Sequence, residues 1–168
     1  MIPASRQRNF LQSALYVAIA GVLAAVLLER LLTYAEAAEK AAMEVTVSNL
    51  QGALYSKFAY HALRGEAASV ESLPRQSPFA VADAHPPNYL GEFDGTPPVT
   101  DRSGKWYFDR LRGELVYRPN LARYFTSGAG EDAEPVIRLR MELKGGGGTI
   151  YHAVSLRPVV AYRWEPFP

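Results

Sequence analysis

The amino-acid sequence predicts an α+β chain: a long N-terminal helix, membrane-spanning in its first half and amphipathic in its second, packed on a small antiparallel β-sheet. Three observations carry this. Ala14 to Leu28 holds no formal charge, Tyr34 to Leu63 holds no proline and a helical apolar stripe, and the residues from Lys105 form strand-like runs around glycine-bearing turns, one of which alternates apolar and charged side chains. The elements follow in chain order as a tail (1–9), a transmembrane half-helix (10–32), an amphipathic half-helix (33–63), a proline-rich connector (64–104) and a sheet region (105–168).

Extending the charge-free run to Phe10 and Leu31 gives a helix of about 33 Å, enough for a hydrocarbon core of about 30 Å. Eight of the fifteen residues from Ala14 to Leu28 are Leu, Val or Ile, together worth about −2 to −5 kcal/mol on insertion. Gln12 and the pair Glu29-Arg30 mark the two membrane edges. Arg6, Arg8 and the amino terminus precede the span without an acidic residue, which places the N-terminus in the cytoplasm and the C-terminal part outside it. The expected location is the inner membrane, single-pass, with a periplasmic C-terminal domain. A second arrangement stays open: a basic start, an apolar stretch and the small-x-small triplet Ala35-Glu36-Ala37 also suit a cleavable export signal.

The helical pattern continues through Leu63, making one rod from about Asn9. Met43, Val47, Leu50, Leu54, Phe58 and Ala62 recur every three or four residues, and Glu36, Glu39, Lys40, Glu44, Gln51 and Lys57 fall mainly off that stripe. Val47, Leu50, Leu54 and Phe58 are therefore expected to pack on the sheet. Between 64 and 104 stand six prolines, Pro74, Pro78, Pro86, Pro87, Pro97 and Pro98, which exclude a regular helix and predict an irregular connector with one short element near Phe79 to Asp83.

From Lys105 the pattern is β. Trp106 to Phe108 and Glu114 to Arg118 form a hairpin around a turn from Asp109 to Gly113, and Val136 to Leu143 pairs with Tyr151 to Leu156 across Gly145 to Gly148. Val159 to Trp164 offers a further strand. Ile137, Leu139, Met141 and Leu143 share one parity and Arg138, Arg140, Glu142 and Lys144 the other, predicting one buried and one wet face.

Composition narrows the function classes. The formal net charge is +1 over 168 residues, and the basic strip Arg138, Arg140, Lys144 comes without a recognisable nucleic-acid fold, so no nucleic-acid partner is expected. Zero cysteines exclude disulfides, thiolate metal sites and a cysteine nucleophile. His61, His85 and His152 lack metal-ligand spacing, no G-x-S-x-G surrounds a serine, and Gly145 to Gly148 lacks the phosphate-loop lysine. Neither a cofactor, a metal nor a catalytic constellation is expected, and the acidic segment Glu131 to Glu134 reads as a solvated loop rather than a defined calcium loop.

The order of these elements resembles the type IV pilin-like proteins, especially the pseudopilins of type II secretion systems. Gly21-Val22-Leu23-Ala24-Ala25 is similar to a segment of pilin membrane helices. Leu31 to Glu44 is similar to the stretch that follows it, and Gly104 to Tyr117 to the first hairpin. The family's processing motif is degenerate here: aligned on Gly21, Gln7-Arg8 stands at the cut and Gln12 at the family's glutamate, and aligned on Phe10, Asn9 stands before the cut and Ala14 at the glutamate. The resemblance implies a non-enzymatic subunit that assembles through its N-terminal helix with other pilin-like subunits and inner-membrane assembly components, with lipid around its span. Small residues at Ala18, Gly21, Ala24 and Ala25 would form the assembly face, since close helix approach needs small side chains. An exported soluble binding domain, or an anchored accessory protein outside any filament, are the alternatives.

Overall fold

The computed structural model describes residues 4–98, 100, 102–130, 133–145 and 151–167. One helix, α1 (Ala4–Leu63), runs for 60 residues, or about 90 Å, so the helix begins about five residues before Asn9. It contains no proline, and it stops where the chain can satisfy its last carbonyls. Gly65, at φ +69°, donates to the Ala62 carbonyl and Glu66 to that of His61, the paired closure that a left-handed glycine permits.

The connector is more ordered than its prolines suggest. It holds α2 (Ala67–Ser72), a 3-10 turn (Leu73–Arg75), α3 (Pro78–Val81) and a strand, β1 (Tyr89–Phe93). Pro74 and Pro78 sit in first turns, where a missing N–H costs nothing. The remaining strands are β2 (Lys105–Asp109), β3 (Glu114–Arg118), β4 (Phe125–Ser127), β5 (Ile137–Gly145), β6 (Tyr151–Pro158) and β7 (Tyr162–Trp164).

The main sheet has the order β1-β2-β3-β5-β6, antiparallel except for the parallel pair β1 and β2. The architecture is α+β: a long N-terminal helix on a small, mostly antiparallel sheet. The further strand expected within Val159 to Trp164 is present as β7, which pairs with β4 in a separate two-stranded ribbon rather than with this sheet. That ribbon closes tightly at Gly128, where a Cβ would stand 2.6 Å from the Ala161 carbonyl oxygen. One expectation is corrected: the sheet does not have a wholly wet face. A parallel β1–β2 pair requires the chain after Phe93 to return along the sheet, and Gly95 on that return donates to Asp109. Tyr107, Asp109, Glu114 and Val116 are consequently buried opposite the helix-facing side chains. In β5 the alternation is kept, with Ile137, Leu139 and Met141 buried and Arg140 and Glu142 exposed.

The core joins Met43, Leu50, Leu54 and Phe58 of α1 to Trp106, Leu115, Tyr117, Leu139, Val154 and Leu156 of the sheet, with Val47 half-buried against it. From the connector, Phe79 meets Trp106 edge-on at 5.8 Å, and Trp106 lies 4.6 Å from Tyr117. The stripe on α1 differs from the sequence reading at its polar members. Glu36 is fully buried and Gln51 half-buried on the packed face, whereas Ala62 is exposed. Gln51 explains itself: its amide donates to the Val154 carbonyl at 2.9 Å and accepts from the Leu156 N–H at 2.6 Å. A side-chain amide thus does the work of a neighbouring strand for β6, the last strand of the sheet, whose edge would otherwise offer unpaired backbone groups.

Candidate functional site

The most constructed polar feature lies where the apolar half of α1 meets the folded domain. Glu29, Thr33 and Glu36 recur at i, i+4 and i+7 and so share one face of the helix. Opposite them runs the segment that follows β3 from Pro119 to Tyr124, which belongs to no strand and needs partners for its backbone N–H groups. Two carboxylates supply them. Glu39 accepts from the Asn120 N–H at 2.6 Å, the Leu121 N–H at 3.0 Å and the Tyr117 hydroxyl at 2.8 Å. Glu36 Oε1 accepts from the Tyr124 N–H at 3.0 Å and the Trp164 indole at 2.8 Å, while its Oε2 is buried without a partner. Below them Thr33 Oγ1 and the Tyr124 hydroxyl share a 3.4 Å contact, and Arg123 lies 3.8 Å from Glu29. These contacts tie the loop after β3 and the C-terminal strand β7 to two turns of the helix.

Burial, and then the hydrogen bond to Glu39, push the Tyr117 phenol far above its ordinary value of 10.0, and burial also raises Tyr89 and Tyr162. A proton held more tightly in the folded state stabilises fully below the unfolded value and is lost as pH rises beyond it. The domain is therefore expected to lose stability progressively above about pH 10, with Tyr117→Phe reducing that sensitivity. Ultraviolet titration of the ten tyrosines checks this: a late group should ionise only as the domain unfolds. A single ionisation step of all tyrosines in a domain that stays folded would contradict it.

The residues named from the sequence separate into two sets. Leu50, Leu54 and Phe58 are in the core with Val47 against it, and Ala18, Gly21, Ala24 and Ala25 are all exposed on the apolar half of α1. A Cβ on Gly21 or Gly52 would meet nothing within 4 Å. Beyond Leu32, the face of α1 turned away from the sheet carries Ala38, Ala41, Val45, Ser48, Gly52 and Ser56, all exposed, uncharged and spaced by three or four.

Elsewhere, charges are matched locally. Arg138 and Arg140, the expected basic strip, both reach the buried Glu114, Arg140 at 2.6 Å. Asp109 accepts from the Gly95 and Arg112 N–H groups and from the Arg112 guanidinium. Glu134 pairs with Arg118, while Glu131, Asp132 and Gly146 to Gly148 lie outside the described residues. His61 contacts Glu66 at 2.7 Å just past the end of α1, and that contact, together with Arg64, holds the Glu66 carboxyl below its ordinary value. Among the described residues no group of three or more His, Cys, Asp or Glu side chains could hold a metal ion.

From Gln12 onward α1 is the one described helix long and apolar enough to cross a membrane, with mean hydropathy 2.1 in its most apolar window and none of that window buried. This is compatible with single-pass anchoring. No family model, curated protein or solved structure matches the chain.

Proposed function

We propose that the chain is a non-enzymatic, pilin-like subunit of a type II secretion or type IV pilus-type system, anchored in the inner membrane by the first half of α1. Its sheet domain is periplasmic, and it associates through α1 with other pilin-like subunits. The observation that carries this reading is the small, uncharged and exposed surface of α1 on both halves of the rod. In the apolar half Ala18, Gly21, Ala24 and Ala25 are open, and beyond Leu32 Ala38, Ala41, Val45, Ser48 and Gly52 line the side turned away from the sheet, all solvent-exposed in the single chain. Small side chains let helix backbones approach closely, and the helix is otherwise long beyond the needs of one span.

The junction also favours an anchored chain over one released by signal cleavage. A cut after Ala37 would remove Glu36 and leave the Trp164 indole and the Tyr124 N–H without their acceptor.

Single cysteines at Ala18, Gly21, Ala25 and Val45, in a chain with no native cysteine, test the assembly. Crosslinks to itself or to another pilin-like protein are expected with helical periodicity, and Gly21→Leu should suppress them. Because a side chain at Gly21 meets nothing in the single chain, that loss would report contact between chains. Cells carrying the complete system that yield no crosslink at any position would leave the accessory-anchor reading in its place. Protease added to spheroplasts should digest the sheet domain, and its survival until permeabilisation would reverse the topology.

A further inference from the structure

The height of the folded domain along α1 determines what its base touches. The charge-free run of α1 ends at Leu28, and the domain already meets the helix at Glu29, through Arg123, and at Thr33, through Tyr124. Thr33 lies only about 8 Å beyond Leu28 along the axis. A headgroup layer is itself on the order of 5 to 8 Å deep on each side of the hydrocarbon. With Ala14 to Leu28 in hydrocarbon, the base of the domain stands within that layer rather than above it.

The side chains there suit such a setting. Tyr34 and Phe167 pack ring to ring at 5.5 Å yet remain 60% and 50% exposed; Arg30 and Leu31 on the same stretch of α1 are exposed, as is Arg123 in the loop that meets Glu29. Aromatic rings concentrate at the boundary of headgroups and acyl chains, and guanidinium groups bind phosphate oxygens through paired donors. Arg123 is half-exposed and held only loosely, 3.8 Å from the exposed Glu29 and 6.0 Å over the Tyr124 ring, which leaves its donors able to reach a phosphate. The base cannot easily swing clear, because Glu36 and Glu39 bind the loop after β3 and Trp164 to the helix just above it.

We infer that this base, the loop 121–124 and the C-terminal residues 165–167, is a lipid-contacting surface. Tyr34 and Phe167 enter the headgroup boundary, and Arg30 and Arg123 meet lipid phosphate. The inference rests on the membrane-anchored reading of α1, and the surface holds the domain at a fixed tilt on the bilayer.

The full chain in vesicles of phosphatidylcholine, with and without phosphatidylglycerol, provides the test. A fluorophore is attached to a single cysteine at Glu165, and in a second sample at Leu111. Leu111 is exposed in the β2–β3 turn, and that turn's Gly113 lies against Pro74, in the segment that follows the far end of α1. Lipid carrying a nitroxide on its headgroup should quench the Glu165 label several-fold more than the Leu111 label. Arg123→Gln combined with Phe167→Ser should bring quenching at 165 down to the level at 111 while the chain still floats with the vesicles and keeps the emission of its two tryptophans. Adding phosphatidylglycerol should strengthen quenching at 165 in the parent chain more than in Arg123→Gln. A chain that floats but is quenched equally at both positions overturns the lipid surface alone. A chain that fails to float overturns the anchored reading and this inference with it.

Discussion

Replacing Glu36 by alanine is expected to destabilise the domain by about 2 to 4 kcal/mol, because it strands the buried Trp164 indole, worth about 1 to 3 kcal/mol when left unpaired, and loses the part-buried bond to the Tyr124 N–H, worth about 1 kcal/mol. The side chain is fully buried, and its Oε1 is the acceptor for both the Tyr124 N–H and the Trp164 indole. Glu36→Gln separates this hydrogen-bonding role from charge. It keeps an acceptor at the same place and removes an ionisable group whose second oxygen has no partner, so it should fold with stability within about 1 kcal/mol of the parent. Denaturant unfolding of the detergent-solubilised chain, followed by tryptophan fluorescence, measures both. Equal losses in the two variants would mean that the carboxylate's charge, and not its acceptor geometry, holds the loop.

Glu36 also shows what was legible in the sequence and what was not. The stripe that predicts the packed face of α1 can be extended backwards in steps of three and four from Met43 through Lys40 to Glu36. A glutamate in line with buried leucines is a signal in itself, since a buried carboxylate needs partners. Those partners are Tyr124 and Trp164, the latter 128 residues away in sequence. Periodicity within a helix carries no information about which distant donors will face it. Gln51 was obscured in the same way, being polar by type and buried by its bonds to β6.

The hairpin of β2 and β3 was readable from two short aromatic and β-branched runs around a turn ending in Gly113, at φ +64°, and the β5–β6 pair from the alternation of β5 and its glycine-bearing turn. β1 was not readable, because it lies among prolines and its partner β2 runs parallel, so no tight turn announces the pair. The burial of Tyr107 and Val116 follows from that hidden strand, since the returning chain covers a face that alternation alone leaves to water.

Leu54→Ala is expected to cost about 2 to 5 kcal/mol, the range for a leucine whose removal leaves a cavity in a packed core. Leu54 is 0% exposed, at the centre of the contact between α1 and the sheet, and the rigid rod on one side and paired strands on the other leave little room for collapse. Lys57→Ala, one turn further along α1 and exposed, should stay within about 0.5 kcal/mol. Leu23→Ala completes the comparison. Leu23 belongs to the same helix but is 64% exposed in the apolar half, which the folded domain does not cover. Its truncation should leave domain unfolding unchanged, because Leu23 makes no part of the core between α1 and the sheet; on the membrane-anchored reading it would weaken only insertion. Equal, small effects at Leu54 and Lys57 would mean that α1 does not cover the sheet in solution. A loss at Leu23 as large as that at Leu54 would mean that the two halves of the rod unfold as one unit, and the separation of anchor from domain would have to be given up.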